Sequence, residues 1–138
     1  MRAAEYVPEG RKTVKFVIPG RLPGLNEYID AERTNKYRAA KMKREAEDLV
    51  VLCAKNGLRG WKAKGPVMMY YSWIEKDRRR DKDNISGYGR KIIQDALVKA
   101  RILQGDGWAH IVGFTDDFAV DKKEPRIEIV LEEVQDYE

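Results

Sequence analysis

The run Val67 to Glu75, VMMYYSWIE, is apolar on both faces. In an extended chain Val67, Met69, Tyr71 and Trp73 point one way and Met68, Tyr70 and Ile74 the other. A strand of that composition needs cover on both sides, which predicts the interior of a sheet with other elements packed over it.

The flanking sequence supplies candidates for that cover. Thr13 to Ile18 alternates, with Val14, Phe16 and Ile18 on one face, and Pro19-Gly20 ends the run, predicting a first strand. Residues 21 to 35 hold Pro23, Gly24, two asparagines and several charges with no clean period and read as an ordered loop. From Tyr37 to Asn56 the positions Ala39, Met42, Ala46, Leu49, Val50 and Cys53 step by three and four, the apolar stripe of one long helix, with Gly57 as its C-terminal cap. Gly87 and Gly89 read as a loop, and Arg90 to Arg101 as a second helix with Ile92, Ile93, Ala96, Leu97 and Ala100 inward. Leu103 to Trp108 reads as a turn. His110 to Phe114 and Arg126 to Leu131 read as strands. The expected fold is α+β: a small mixed sheet carrying two main helices in the order β-α-β-α-β-β. The 138 residues fit one domain, with 1–11 and 134–138 as frayed ends.

Charge narrows the function. Residues 11 to 82 carry 19 Lys and Arg against 9 Asp and Glu, a net of +10, while residues 83 to 138 carry 7 against 12, a net of −5. A basic segment of this size suits a polyanion, because neutralising phosphates releases counterions, although a solvated surface would look the same. No apolar run approaches the roughly 18 residues of a membrane span, and the first residues lack the apolar core of a secretion signal. A single cysteine, Cys53, excludes an internal disulfide and fits a reducing compartment, so the expected location is the cytoplasm.

The charges concentrate in Lys76-Asp77-Arg78-Arg79-Arg80-Asp81-Lys82-Asp83-Asn84, directly after the apolar strand. Where a strand runs out into a loop, residues two apart share a side, so Asp81 and Asp83 can present two carboxylates together. Such hard oxygens suit magnesium, and the surrounding cations suit a phosphodiester. The plainer alternative is that Asp83 and Asn84 cap a turn, which leaves Asp81 and the arginines unexplained. An EF-hand is excluded, since Ser86 stands where glycine is required and Ile92 where a bidentate glutamate is required. There is no Walker A motif, and Gly87-Tyr88-Gly89 lacks the third glycine of a dinucleotide fingerprint. The only histidine, His110, reads as a structural strand residue, which leaves nucleophilic triads without a base.

Four separated pieces resemble the RusA-type Holliday junction resolvases. They are R-R-R-D-K-D-N at Arg78 to Asn84, Lys91 followed by D-A-L at Asp95 to Leu97, Asp106 beyond the helix, and P-x-x-L-P-x-x-N-x-Y from Pro19 to Tyr28. In order and spacing the similarity runs from about Thr13 to Glu133. Two departures stand out. The compact form of the family has its lysine four residues after the second aspartate, whereas Lys91 lies eight after Asp83, and the family's later Asp-Asp is here Gly105-Asp106.

The resemblance implies a magnesium-dependent, structure-specific endodeoxyribonuclease that cuts four-way junctions with metal-activated water, manganese being a possible substitute for magnesium. It implies Asp81, Asp83 and Asp106 as metal ligands and Lys91 as the group that stabilises charge on the phosphate. Asn26, Arg78, Arg79, Arg80, Lys82, Asn84 and Arg90 would contact DNA, with Asn84 equally readable as a turn residue and each cation as ordinary surface charge. Because a four-way junction is two-fold symmetric, it also implies a homodimer, and Asp106 could act within one chain or across the pair. The competing readings are a non-catalytic domain that binds branched DNA and a metal-dependent hydrolase of nucleotides or small phosphates.

Overall fold

The computed structural model describes residues 12–134. Seven elements follow one another: β1 (Thr13–Pro19), α1 (Leu25–Thr34), α2 (Lys36–Leu58), β2 (Val67–Glu75), α3 (Lys82–Lys99), β3 (Ile111–Val120) and β4 (Arg126–Glu133). The strands form one mixed sheet in the order β1-β4-β2-β3. β4 runs antiparallel to both β1 and β2, and β3 runs parallel to β2. The α+β expectation therefore holds, with three helices in place of two.

β2 is interior, as its two apolar faces demand. Val67, Met69, Tyr71 and Trp73 are almost fully buried, and so are Ser72 and Ile74 on the opposite face. On the helix side, register sets Met69 opposite Leu131, Tyr71 opposite Ile129 and Trp73 opposite Ile127, while Val14, Phe16 and Ile18 of β1 meet the same β4 residues from the other side. α2 and α3 close this layer with Val50, Ala54, Leu58, Ile85, Ile92, Ile93, Ala96 and Leu97.

Five local expectations are corrected. The stretch read as a loop from 21 to 35 contains α1, which buries little more than Ala31 and starts after Gly24 with no side-chain cap, so its sequence signal is faint. Asn35 separates the two helices: its backbone N–H donates to Ala31 O at the end of α1, and its side chain accepts from Tyr37 N and Arg38 N at the start of α2. The buried stripe of α2 passes through Ala39, Ala46, Val50, Ala54 and Leu58, which leaves Leu49 exposed, and the helix ends at Arg59 in the left-handed region rather than at Gly57. β3 continues six residues past Phe114, through Asp116 and Asp117, and His110 lies in the turn before it. Val134 is fastened by donating to Pro66 O at 2.9 Å. The remaining ends expected to fray, 1–11 and 135–138, lie outside the described residues.

The fifth correction bears on function. α3 begins at Lys82, with Asp81 as N-cap, and Gly87 and Gly89 lie inside it. Each interior glycine costs a helix about 1 kcal/mol relative to alanine. At Gly89 the cost has a cause, because a Cβ there would stand 2.7 Å from the Trp73 ring. α3 packs closely on β2 at that point, and Ile85, Tyr88, Ile92, Ile93, Ala96 and Leu97 continue the buried stripe on either side.

Candidate active site

The charged segment leaves the carboxyl end of β2, and α3 carries the chain back to a parallel β3. A cleft of about 680 Å³ opens there, lined by Glu75, Asp77, Arg78, Asp81, Asp83 and Phe118 among others. Asp81 and Asp83 thus share one cleft, though not as neighbours on an extended strand. Asp81 is extended, with φ −67° and ψ 152°, and caps the helix without a side-chain hydrogen bond, while Asp83 sits in the first helical turn. An acidic side chain there is stabilised by the positive end of the helix dipole. Both residues are exposed.

The cations around them divide by how they are held. Arg80 forms two 2.8 Å bonds to the Glu75 carboxylate and donates to Leu22 O at 3.1 Å, leaving its side chain 13 % exposed. It fastens the loop to the end of β2 and has little surface to offer DNA. Arg90 is bound by Asp116, which also accepts from Trp73 Nε1 at 2.8 Å, and its guanidinium lies 4.7 Å from the Phe114 ring centroid. Lys82 stands 5.6 Å from the centre of the Phe118 ring. Arg78 and Arg79 are exposed; the Arg79 guanidinium lies 3.6 Å from Asp77, which also accepts from Arg79 N at 3.1 Å.

Asn84 has an architectural role. Its Oδ1 accepts from Asn26 N at 2.8 Å, and it packs on Gly24, where a Cβ would approach the Asn84 amide to 2.7 Å. The Pro/Asn loop singled out in the sequence is therefore the start of α1, tied to the first turn of α3, and Asn26 stays exposed at that junction.

Farther along α3, Asp83, Gly87 and Lys91 follow at four-residue intervals on one exposed ridge. Lys91 Nζ lies 3.2 Å from Asp95 and 3.9 Å from Asp106, with its side chain 59 % exposed. Asp95 is also bonded to Lys43 of α2 at 2.9 Å. Burial pushes the Asp95 carboxyl up, but the ammonium groups of Lys43 and Lys91 outweigh it and hold the group below the usual carboxylate range. The bond to Asp95 likewise raises Lys43 above the ordinary lysine value. Motif matching pointed to Asp95 only as part of D-A-L, without the ion pair that orients Lys91.

Seven of the candidates, Asp81, Lys82, Asp83, Asn84, Arg90, Lys91 and Asp106, thus lie along or beside one helix, and the acidic ones fall in two groups. Asp81 and Asp83 line the first cleft. Lys91 and Asp106 meet eight residues on, about 12 Å of helical rise from Asp83. Among the described residues, no three His, Cys, Asp or Glu side chains converge to hold one metal ion. Also among them, no helix is long and apolar enough to cross a membrane. No protein-family model matches the chain, and no curated protein matches it.

Proposed function

We propose that this protein is a magnesium-dependent endonuclease that nicks branched DNA, four-way junctions in particular, as the resemblance to RusA-type resolvases implies. The observation that carries the reading is the single ridge of α3 with Asp83 at one end and Lys91 at the other. The eight-residue spacing set this chain apart from the compact family form. On a continuous helix, four extra residues amount to about one more turn, so the lysine stays on the ridge of the aspartate.

The donor set fits magnesium, which needs only one or two protein carboxylates when water and substrate phosphate complete its shell. Asp81 and Asp83 would be those ligands. Asp106, the third ligand that the resemblance implies, pairs with Lys91 in the free protein. When bound, the ion supplies Lewis acidity at the phosphodiester. Lys91, oriented by Asp95, stabilises the charge that builds on the phosphate. Arg78, Arg79 and Lys82 contact backbone phosphates beside the cleft, a positioning role without sequence readout. Arg80 and Arg90 act through the structure, holding the loop and the α3–β3 seam. A homodimer would place two such sites on a two-fold junction. Manganese, with the same preference for oxygen ligands, would serve in place of magnesium.

The test compares four-way junction, plain duplex, flap and single strand with and without magnesium. Magnesium-dependent nicking of the junction, lost in a folded Asp83→Asn protein, is the expected result. An Asp83→Asn protein that cuts at the parental rate sinks the assignment. Junction binding without nicking would make the chain a binding module, and turnover of free nucleotides with junctions ignored would make it a small-phosphate hydrolase.

A further inference from the structure

A tryptophan outside the proposed chemistry stands next to it. Trp108 is 96 % exposed, at the end of the turn Gly105-Asp106-Gly107-Trp108. That turn is firmly built. His110 N and Ile111 N both donate to Gly107 O at 3.0 Å, Val67 N donates to His110 O at 2.9 Å, and the His110 ring packs so closely on Gly105 that a Cβ there would meet it at 2.6 Å. Together with the half-exposed Phe114, which lines one cleft with it, this indole makes an apolar patch rather than a lone exposed residue.

Trp108 lines a shallow cleft of about 300 Å³ with Gln94, Asp106 and Phe114. Phe114 is itself 46 % exposed, steadied by the Arg90 guanidinium and by an edge-on contact with Tyr71. Gln94 is fixed by donating to the buried Tyr71 hydroxyl at 3.2 Å. Lys91 stands at the rim, 3.9 Å from Asp106.

We infer that this cleft receives a nucleobase unstacked from its helix, with Trp108 as the stacking plane and the adjoining phosphate against Lys91. The inference rests on the nuclease reading for the identity of the strand and adds what that reading lacks, a means of choosing distorted DNA over plain duplex. The chemistry matches on three counts. An exposed aromatic plane stacks any base, a carboxamide can hydrogen-bond a base edge, and an ammonium takes the phosphate. The ammonium of Lys91 beside Asp106 favours a phosphate-bearing occupant over an apolar protein surface.

The experiment measures equilibrium binding in EDTA, where no cutting occurs, of a duplex carrying one extrahelical 2-aminopurine and of the same duplex fully paired. The parental protein should prefer the bulged duplex. Trp108→Ala should lose roughly tenfold to a hundredfold of that preference while binding paired duplex unchanged, and Trp108→Phe should recover most of it. A Trp108→Ala protein that keeps the preference overturns the proposal. A parental protein without the preference also overturns it, and the nuclease reading then stands or falls separately on magnesium-dependent nicking of junctions. Sedimentation is the third arm: a fall in oligomeric mass on Trp108→Ala would show the indole buried between copies of the chain and would overturn the proposal too.

Discussion

The two sides of α3 answer to different demands. On the inner side Gly89 lies against Trp73, and Ile85, Ile92 and Ile93 are buried, so nearly every atom has a neighbour that fixes its size. On the outer ridge Asp83, Gly87 and Lys91 face solvent, and a Cβ on Gly87 would meet only a Leu25 methyl at 3.8 Å. Two glycines two positions apart therefore mean different things. One is required by packing, and the other keeps the ridge low between an acid and a base.

Substitutions can break or sharpen that contrast. The largest effect is expected at Lys91: Lys91→Ala should slow magnesium-dependent nicking by about 10²- to 10³-fold, the usual cost of one preorganised electrostatic group, and leave the melting temperature unchanged. A matching drop in thermal stability would mean that the outer ridge also holds the fold. Next comes Gly89→Ala, which forces a methyl onto the Trp73 ring and should destabilise by about 1 to 3 kcal/mol in chemical denaturation. Parental stability in that variant would refute the tight seam. Gly87→Ala should act in the opposite direction, stabilising by about 0.4 to 1 kcal/mol as unfolded-state freedom is lost and helix propensity gained. Destabilisation there would show that the outer side is packed after all.

The smallest effect belongs to the Lys43–Asp95 pair at the border of the two sides. The folded-state value of Asp95 is depressed, so its contribution is present above the unfolded value near pH 3.9 and is lost as pH falls through the lower folded value. That of Lys43 is raised, so its contribution is present below about pH 10.4 and is lost as pH rises through the higher folded value. Melting curves of the parent and of Asp95→Asn should differ by about 0.5 kcal/mol at neutral pH and converge at both extremes. A gap that widens in acid would contradict this sign.

The same division explains what could be read from the sequence. β1 and β4 were legible because their apolar residues alternate, β2 because it is apolar on both faces, and the centre of α2 because its stripe is long. The first two turns of α3 were hidden by Gly87 and Gly89. Local propensity speaks against a helix there, and the contact that overrules it, with Trp73, comes from another element. The steps from Ile85 through Tyr88 to Ile92 carried the signal. The far half of β3 was hidden by Asp116 and Asp117, tolerable because β3 is an edge strand and Asp116 is satisfied by Arg90 and Trp73. Of the candidate site, residue types were legible and roles only in part. Arg80 and Asn84 looked like DNA contacts beside Arg78 and Arg79, since a sequence does not distinguish a bonded guanidinium or amide from a free one.

The amides at the two ends of α1 have a mechanical consequence. Asn84 ties the start of α1 to the first turn of α3, and Asn35 is both the last link of α1 and the first of α2. α1, ten residues long, therefore links the heads of α3 and α2 a second time, beside the direct α2–α3 bond between Lys43 and Asp95. A load applied to the aspartates at the head of α3 has two routes to α2. Replacing Asn84 removes only the one through α1, while replacing Asn35 removes the cap of α2 and keeps the backbone bond to Ala31.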